Sequence, residues 1–131
     1  MVESNFIMDI SNMKIKLLVV MLFGLCASSF AQSDYYAKKA KDYMNEAQQY
    51  LKKAESYDRE AEYYNNKAAN YLREAENYTR NGDYDRAASN IRWASDAADR
   101  AMTEAKRANT ARDNARDQMR WAKESLDSAK R

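Results

Sequence analysis

The sequence predicts an all-α protein, an antiparallel two-helix coiled-coil hairpin, and three observations carry that expectation. Tyrosine recurs at Tyr36, Tyr43, Tyr50, Tyr57, Tyr64, Tyr71 and Tyr78, and alanine at Ala40, Ala47, Ala54, Ala61, Ala68 and Ala75, each series without a miss. Beyond Gly82 the same period continues as Ala87, Ala94, Ala101, Ala108, Ala115, Ala122 and Ala129. Between the two series stands Asn81-Gly82-Asp83, which holds the last glycine of the chain. Alternating spacings of three and four put Ala and Tyr on one helical stripe, as positions a and d of a heptad. A strict seven-residue repeat further implies gentle left-handed supercoiling.

Composition narrows the alternatives. The chain has 131 residues, no His, no Pro, two Gly and one Cys. All three Phe (Phe6, Phe23, Phe30) and Cys26 fall within the first 31 residues, whereas all ten Tyr and both Trp come later. After residue 31 the only large aliphatic side chains besides Met are Leu51, Leu72, Leu126 and Ile91. Such a segment cannot assemble a globular aliphatic core. With neither His nor a retained thiol, it also lacks the usual nucleophile–base pairs and soft metal ligands. The 22 basic and 20 acidic residues are interspersed. That is the surface of a solvated helix and not the one-sided basic footprint of a nucleic-acid binder.

Residues 1–31 read as upstream sequence plus a secretory signal. From Met13 the chain runs Met-Lys-Ile-Lys, then an apolar stretch from Leu17 to Cys26, then small residues at Ser29 and Ala31. These are the three parts of a signal peptide, with the start expected at Met13 and cleavage after Ala31. The apolar stretch is shorter than the ~20 residues of a membrane span. Cys26 follows Leu25, not the small residue of a lipoprotein signal, so lipid anchoring is not expected. The exported chain would be periplasmic or secreted, without disulfides and without a membrane span.

Residues 32–131 then form the hairpin. The first helix is expected over 34–80, capped by Ser33 or Asp34. A turn follows at Asn81, Gly82 and Asp83, with Gly in the left-handed conformation and Asp capping the next helix. The second helix is expected over 84–130, with Asp85 near its positive end. Folding about Gly82 sets Tyr78 on Ala87, Tyr71 on Ala94, Tyr64 on Ala101, Tyr57 on Ala108, Tyr50 on Ala115, Tyr43 on Ala122 and Tyr36 on Ala129. Large residues against small ones fill such a seam without voids. The alanines of the first helix are expected to face Ile91, Ala98, Ala105, Arg112, Met119 and Leu126, in a row that begins at Tyr84. Arg112, opposite Ala54, would snorkel outward or mark a polar layer.

Two local resemblances bear on this reading. Gly82-Asp83-Tyr84-Asp85-Arg86-Ala87, followed by Ile91 and Ala94 and preceded by Tyr71, Ala75 and Tyr78, resembles the helix-turn-helix of a tetratricopeptide repeat. It covers residues 71–94 and implies a tight helical turn. A true repeat would need a further turn, and residues 84–131 contain neither Gly nor Pro. The alanine heptads of residues 87–131 are similar in composition to the alanine zippers of Braun-type envelope lipoproteins. The ending Ser128-Ala129-Lys130-Arg131 is loosely similar to the Lys-containing tail that joins those proteins to peptidoglycan.

No catalytic, cofactor or metal site is expected. Glu60/Glu62 and Glu74/Glu76 point to opposite sides of a helix. Asn81, Asp83 and Asp85 open like a calcium loop, but Arg86 and Arg92 stand where it needs Gly and Glu. Large side chains off the seam, namely Met44, Leu51, Tyr63, Leu72, Trp93, Met102 and Trp121, form the candidate interaction surface. The expected function is an exported, non-enzymatic scaffold or protein-interaction module of the bacterial envelope. Its partner would be a second copy, giving a four-helix or larger bundle, or another envelope protein. Alternatives are a periplasmic holdase-type chaperone and a cell-wall or glycan binder using exposed Tyr and Trp.

Overall fold

A computed structural model describes the backbone of residues 13–131 and the side chains of residues 31–131. Residues 1–12 and the side chains of residues 13–30, including Cys26, lie outside the described residues. The chain is all-α, a helical hairpin of α1 (Met13–Arg80) and α2 (Tyr84–Ala129) joined by a three-residue turn. None of the described helices is long and apolar enough to cross a membrane. The chain divides into two compact units, Tyr43–Trp121 and a second that joins the stretch up to Asp42 to Ala122–Arg131.

The turn forms as its residues dictate. Gly82 adopts φ +78°, a left-handed conformation that costs L side chains roughly 1–2 kcal/mol. The Asp83 amide donates to the Tyr78 carbonyl at 2.9 Å, and the Gly82 amide to that of Thr79 at 3.1 Å. This pair of bonds is the Schellman closure of a helix. Asp83 then caps α2, its Oδ1 accepting the Arg86 amide at 3.3 Å.

In the Tyr43–Trp121 unit every fully buried apolar side chain is an alanine. Ala68, Ala94 and Ala97 form a cluster against which the Tyr71 ring packs. Tyr71 therefore packs on a cluster to which both helices contribute alanines, Ala68 from α1 and Ala94 and Ala97 from α2. The tyrosines Tyr43, Tyr50, Tyr57, Tyr64, Tyr71 and Tyr78 are all half-buried, and Ala87, Ala94, Ala101, Ala108 and Ala115 of α2 are buried.

The second row of α2 differs from the expectation. Ile91 is 53% exposed, Met119 46% and Leu126 41%, and Tyr84 and Ala98 are exposed as well. In their place the buried row is Asn90, Ala97, Glu104, Ala111, Gln118 and Ser125. It lies three residues after each seam alanine and not four. With the seam alanines kept, α2 is thus rotated by about half a residue, roughly 50°, from the expected setting. Two forces favour that rotation. It takes Arg112 out from opposite Ala54, where burial of an unpaired guanidinium would be costly, and lets it pair with Asp58. It also swings Trp93, Arg100 and Trp121 onto the tyrosine rings.

In the other unit, Ala40 and Ser125 are buried while Tyr36 and Ala129 are half-buried. The Ser33 hydroxyl donates to the Ala129 carbonyl at 3.0 Å. Neither Ser33 nor Asp34 caps α1, because the helix begins upstream, at Met13. Nothing between residues 25 and 34 is a Gly or Pro that would interrupt it. α2 ends at Ala129 rather than Lys130, within ordinary fraying of a helix end.

Because Ala108 is fully buried, Ala108→Leu should cost about 1–3 kcal/mol by overpacking, read as a lower midpoint in chemical denaturation. Gly82→Ala should cost about 1 kcal/mol without a steric clash, since nothing lies within 4 Å of the added Cβ. The measurement is again the denaturation midpoint, with helical signal unchanged.

Candidate functional site

The rotation of α2 gives the Tyr43–Trp121 unit two unlike edges. One carries a ladder of rings. The Tyr43 and Tyr71 rings each meet a tryptophan, Trp121 and Trp93 respectively, at 5.8 Å and an interplanar angle of 56° in both cases. Between and beyond them, guanidinium groups take the tryptophan's place. Arg100 lies 5.3 Å from the Tyr64 ring centre and donates to its hydroxyl at 3.2 Å, and Arg86 lies 5.7 Å from Tyr78. Lys53 stands 5.5 Å from the Tyr50 ring on the same side. Ring–ring and cation–ring contacts of this kind contribute roughly 0.5–1.5 kcal/mol each. Tyr64, Lys67, Tyr71, Trp93, Asp96 and Arg100 line an open groove of about 540 Å³ along this edge.

The opposite edge combines exposed apolar side chains with one ion pair. From α1 it takes Met44, Leu51, Asp58, Asn65 and Leu72, and from α2 Ile91, Ala98, Ala105, Arg112 and Met119, each one position past a seam residue. Met44, Leu51, Leu72, Ile91 and Met119 are all exposed. The two helices are tied across this edge by the ion pair of Asp58 and Arg112, the latter also donating to Asn109 at 3.0 Å. With side chains 47% and 42% exposed, that pair adds little to the stability of the hairpin itself.

Each of the seven side chains expected as an interaction surface is exposed, but the fold does not bring them together. Met44, Leu51 and Leu72 share the apolar edge. Trp93 and Trp121 belong to the ring ladder. Tyr63 sits edge-on to Tyr64 at 5.2 Å beneath Lys67, and Met102 lies one residue past seam Ala101 on α2, exposed. Sequence reasoning missed Ile91 and Met119 as surface residues, having placed them in the seam. It also missed the cover of the tyrosines. The available signal was the row Arg86, Trp93, Arg100, Arg107, Trp121, which keeps the same phase of seven and offers a planar group at every position but Asn114.

Within the Tyr43–Trp121 unit three polar side chains occupy the seam at every second heptad, Asn90, Glu104 and Gln118. Asn90 Nδ2 donates to the Arg86 carbonyl at 3.0 Å, and Glu104 Oε1 accepts from Arg107 at 2.9 Å. Asn90 Oδ1, Glu104 Oε2 and Gln118 Oε1 are buried with no hydrogen-bond partner among the described residues. Among those residues, no group of three or more Asp, Glu or Cys converges in a way that would hold a metal ion.

The chain matches no protein-family model, and no curated protein or solved structure is significantly similar to it.

Glu104 is 8% exposed, with one carboxylate oxygen unpaired, which costs on the order of 1–3 kcal/mol. Glu104→Ala, matching its heptad neighbours Ala97 and Ala111, should therefore raise the thermal midpoint. A lower midpoint would show that the carboxylate is a favourable part of the seam.

Proposed function

We propose that the protein is an exported, non-enzymatic helical-hairpin scaffold of the bacterial envelope that engages other helices along its apolar edge. The observation that carries this reading is the exposure of Met44, Leu51, Leu72, Ile91 and Met119 beside a seam that buries only alanine among its apolar residues. Burying an alanine methyl yields little, whereas a Leu, Ile or Met side chain yields about 1.5–3 kcal/mol when fully covered. The hairpin thus leaves much of its available apolar stabilisation on one side. Exposed apolar side chains clustered on one edge, at either side of a central Asp58–Arg112 pair, mark an interaction site. Export is supported by the basic, apolar and small-residue segments between Met13 and Ala31.

The ring ladder supports a second reading, a cell-wall or glycan binder. Its groove offers the faces of Tyr71 and Trp93 together with Lys67, Asp96 and Arg100, a mixture suited to stacking on a sugar and bonding its hydroxyl groups. Retention on insoluble cell wall, lost in Trp93→Ala, would favour it over the scaffold.

Two measurements test the scaffold reading in cells. The chain recovered from the envelope should begin at Gln32. A photo-crosslinking residue at position 51 or 91 should give a discrete protein adduct, while one at exposed Asn66 on the outer face of α1 should not. A chain retained whole inside the cell overturns export, and equal labelling from all three positions overturns the edge as the interaction surface.

A further inference from the structure

We propose that the occupant of the apolar edge is a second copy of this chain, related by a two-fold axis parallel to the helices, with Asp58 of each copy over Arg112 of the other. The proposal rests on reading that edge as an interaction surface, and it names the partner. The heptad register divides the edge of the Tyr43–Trp121 unit into rungs, one residue from each helix. In order from the turn they are Thr79 with Ile91, Leu72 with Ala98, Asn65 with Ala105, Asp58 with Arg112, and Leu51 with Met119. The Asp58–Arg112 ion pair fixes that register.

The edge is complementary to itself in one arrangement. When two hairpins face each other about an axis parallel to the helices, α1 of one copy lies over α2 of the other. Leu72 then covers Ala98, a large residue over a small one, and Leu51 covers Met119. The one fully charged rung becomes a closed ring of four alternating charges, in which each carboxylate has two guanidinium neighbours. An axis perpendicular to the helices through that rung sets α1 over α1, so Asp58 meets Asp58 and Arg112 meets Arg112, and like charges in contact are repelled. Sliding the proposed pairing by one rung sets Arg112 on Asn65 or Leu51 of the other copy and offers its guanidinium no new carboxylate. Charge therefore selects both the orientation and the register, the role that polar layers play in helical bundles.

The size of the edge agrees. The α1 segment of this unit, residues 43–80, is about 57 Å long at 1.5 Å per residue. Taken as about 15 Å across two adjacent helix rims, the edge covers roughly 800 Å² per copy, the area of a standard specific interface. Ala98 and Ala105 keep the α2 side low enough for close approach.

The test is a charge exchange read by analytical ultracentrifugation of the full chain. The wild type should be dimeric. Asp58→Arg places four positive charges at the ring and Arg112→Asp four negative ones, so each variant alone should dimerise about 100-fold more weakly. Mixed, the two should form a heterodimer within about 10-fold of the wild-type affinity. In that heterodimer neither chain can form the pair internally, and both pairs exist only between copies. Association through any other part of the chain would not respond to these charges. Circular dichroism should show unchanged helicity in each single variant, since both side chains are exposed. As an independent variant, Met119→Glu should also abolish the dimer while leaving the ion pair in place.

A wild type that stays monomeric to about 100 µM, single variants as dimeric as the wild type, or a mixture that remains monomeric overturns the proposal. If the wild type is monomeric but position 51 traps a different envelope protein in cells, only the identity of the partner falls. A monomer that traps nothing takes the scaffold reading down as well.

Discussion

Close approach of two helices over alanine is the constraint on which the rest of this structure depends. Ala68, Ala94 and Ala97 pack together with the Tyr71 ring laid against them, and the heptads repeat that unit along the Tyr43–Trp121 segment. With only methyl groups between the backbones, the seam has no depth to bury a tyrosine ring completely. The rings come to rest half-buried along the seam, where their exposed faces need cover. That cover comes from Trp93, Arg100, Arg86 and Trp121 of the facing helix.

From that arrangement the two edges follow. Turning α2 so that its planar side chains lie over the rings necessarily turns Ile91 and Met119 outward on the opposite side. It also turns Asn90, Glu104 and Gln118 inward, where three of their oxygens lack partners. The hairpin trades aliphatic burial within one chain for ring cover, and carries polar groups in its seam as a consequence. The apolar surface displaced in this way makes up the exposed apolar side chains of the opposite edge. A hairpin built on an aliphatic seam would bury these side chains instead.

The turn illustrates how local chemistry and packing agree. Gly82 supplies the left-handed residue, Asp83 the cap and Tyr78 the accepting carbonyl, and Tyr78 is also the last rung of the ladder. Reversal at that point brings the tyrosine and alanine series into register with no adjustment, because both series are in phase with Gly82. By contrast, the proposed cap at Ser33 or Asp34 is absent because α1 runs through those residues. A capping residue ends a helix only where the preceding chain does not itself favour one.

By itself the sequence determined the fold class, the place of the turn and the packing of Tyr71 on alanines of the seam. Each depends on a single period of seven and one glycine, features that no alternative packing of the same residues satisfies equally. It did not determine the rotation of α2. The rows three and four residues past each seam alanine share the same period, and the more aliphatic one is the natural choice when burial is the sole criterion. Which row faces α1 is decided by groups far apart in the chain: Trp93 against Tyr71, Arg100 against Tyr64, and Arg112 against Asp58. Those contacts exist only once both helices are in place, so the division of the surface into an aromatic and an apolar edge belongs to the tertiary structure.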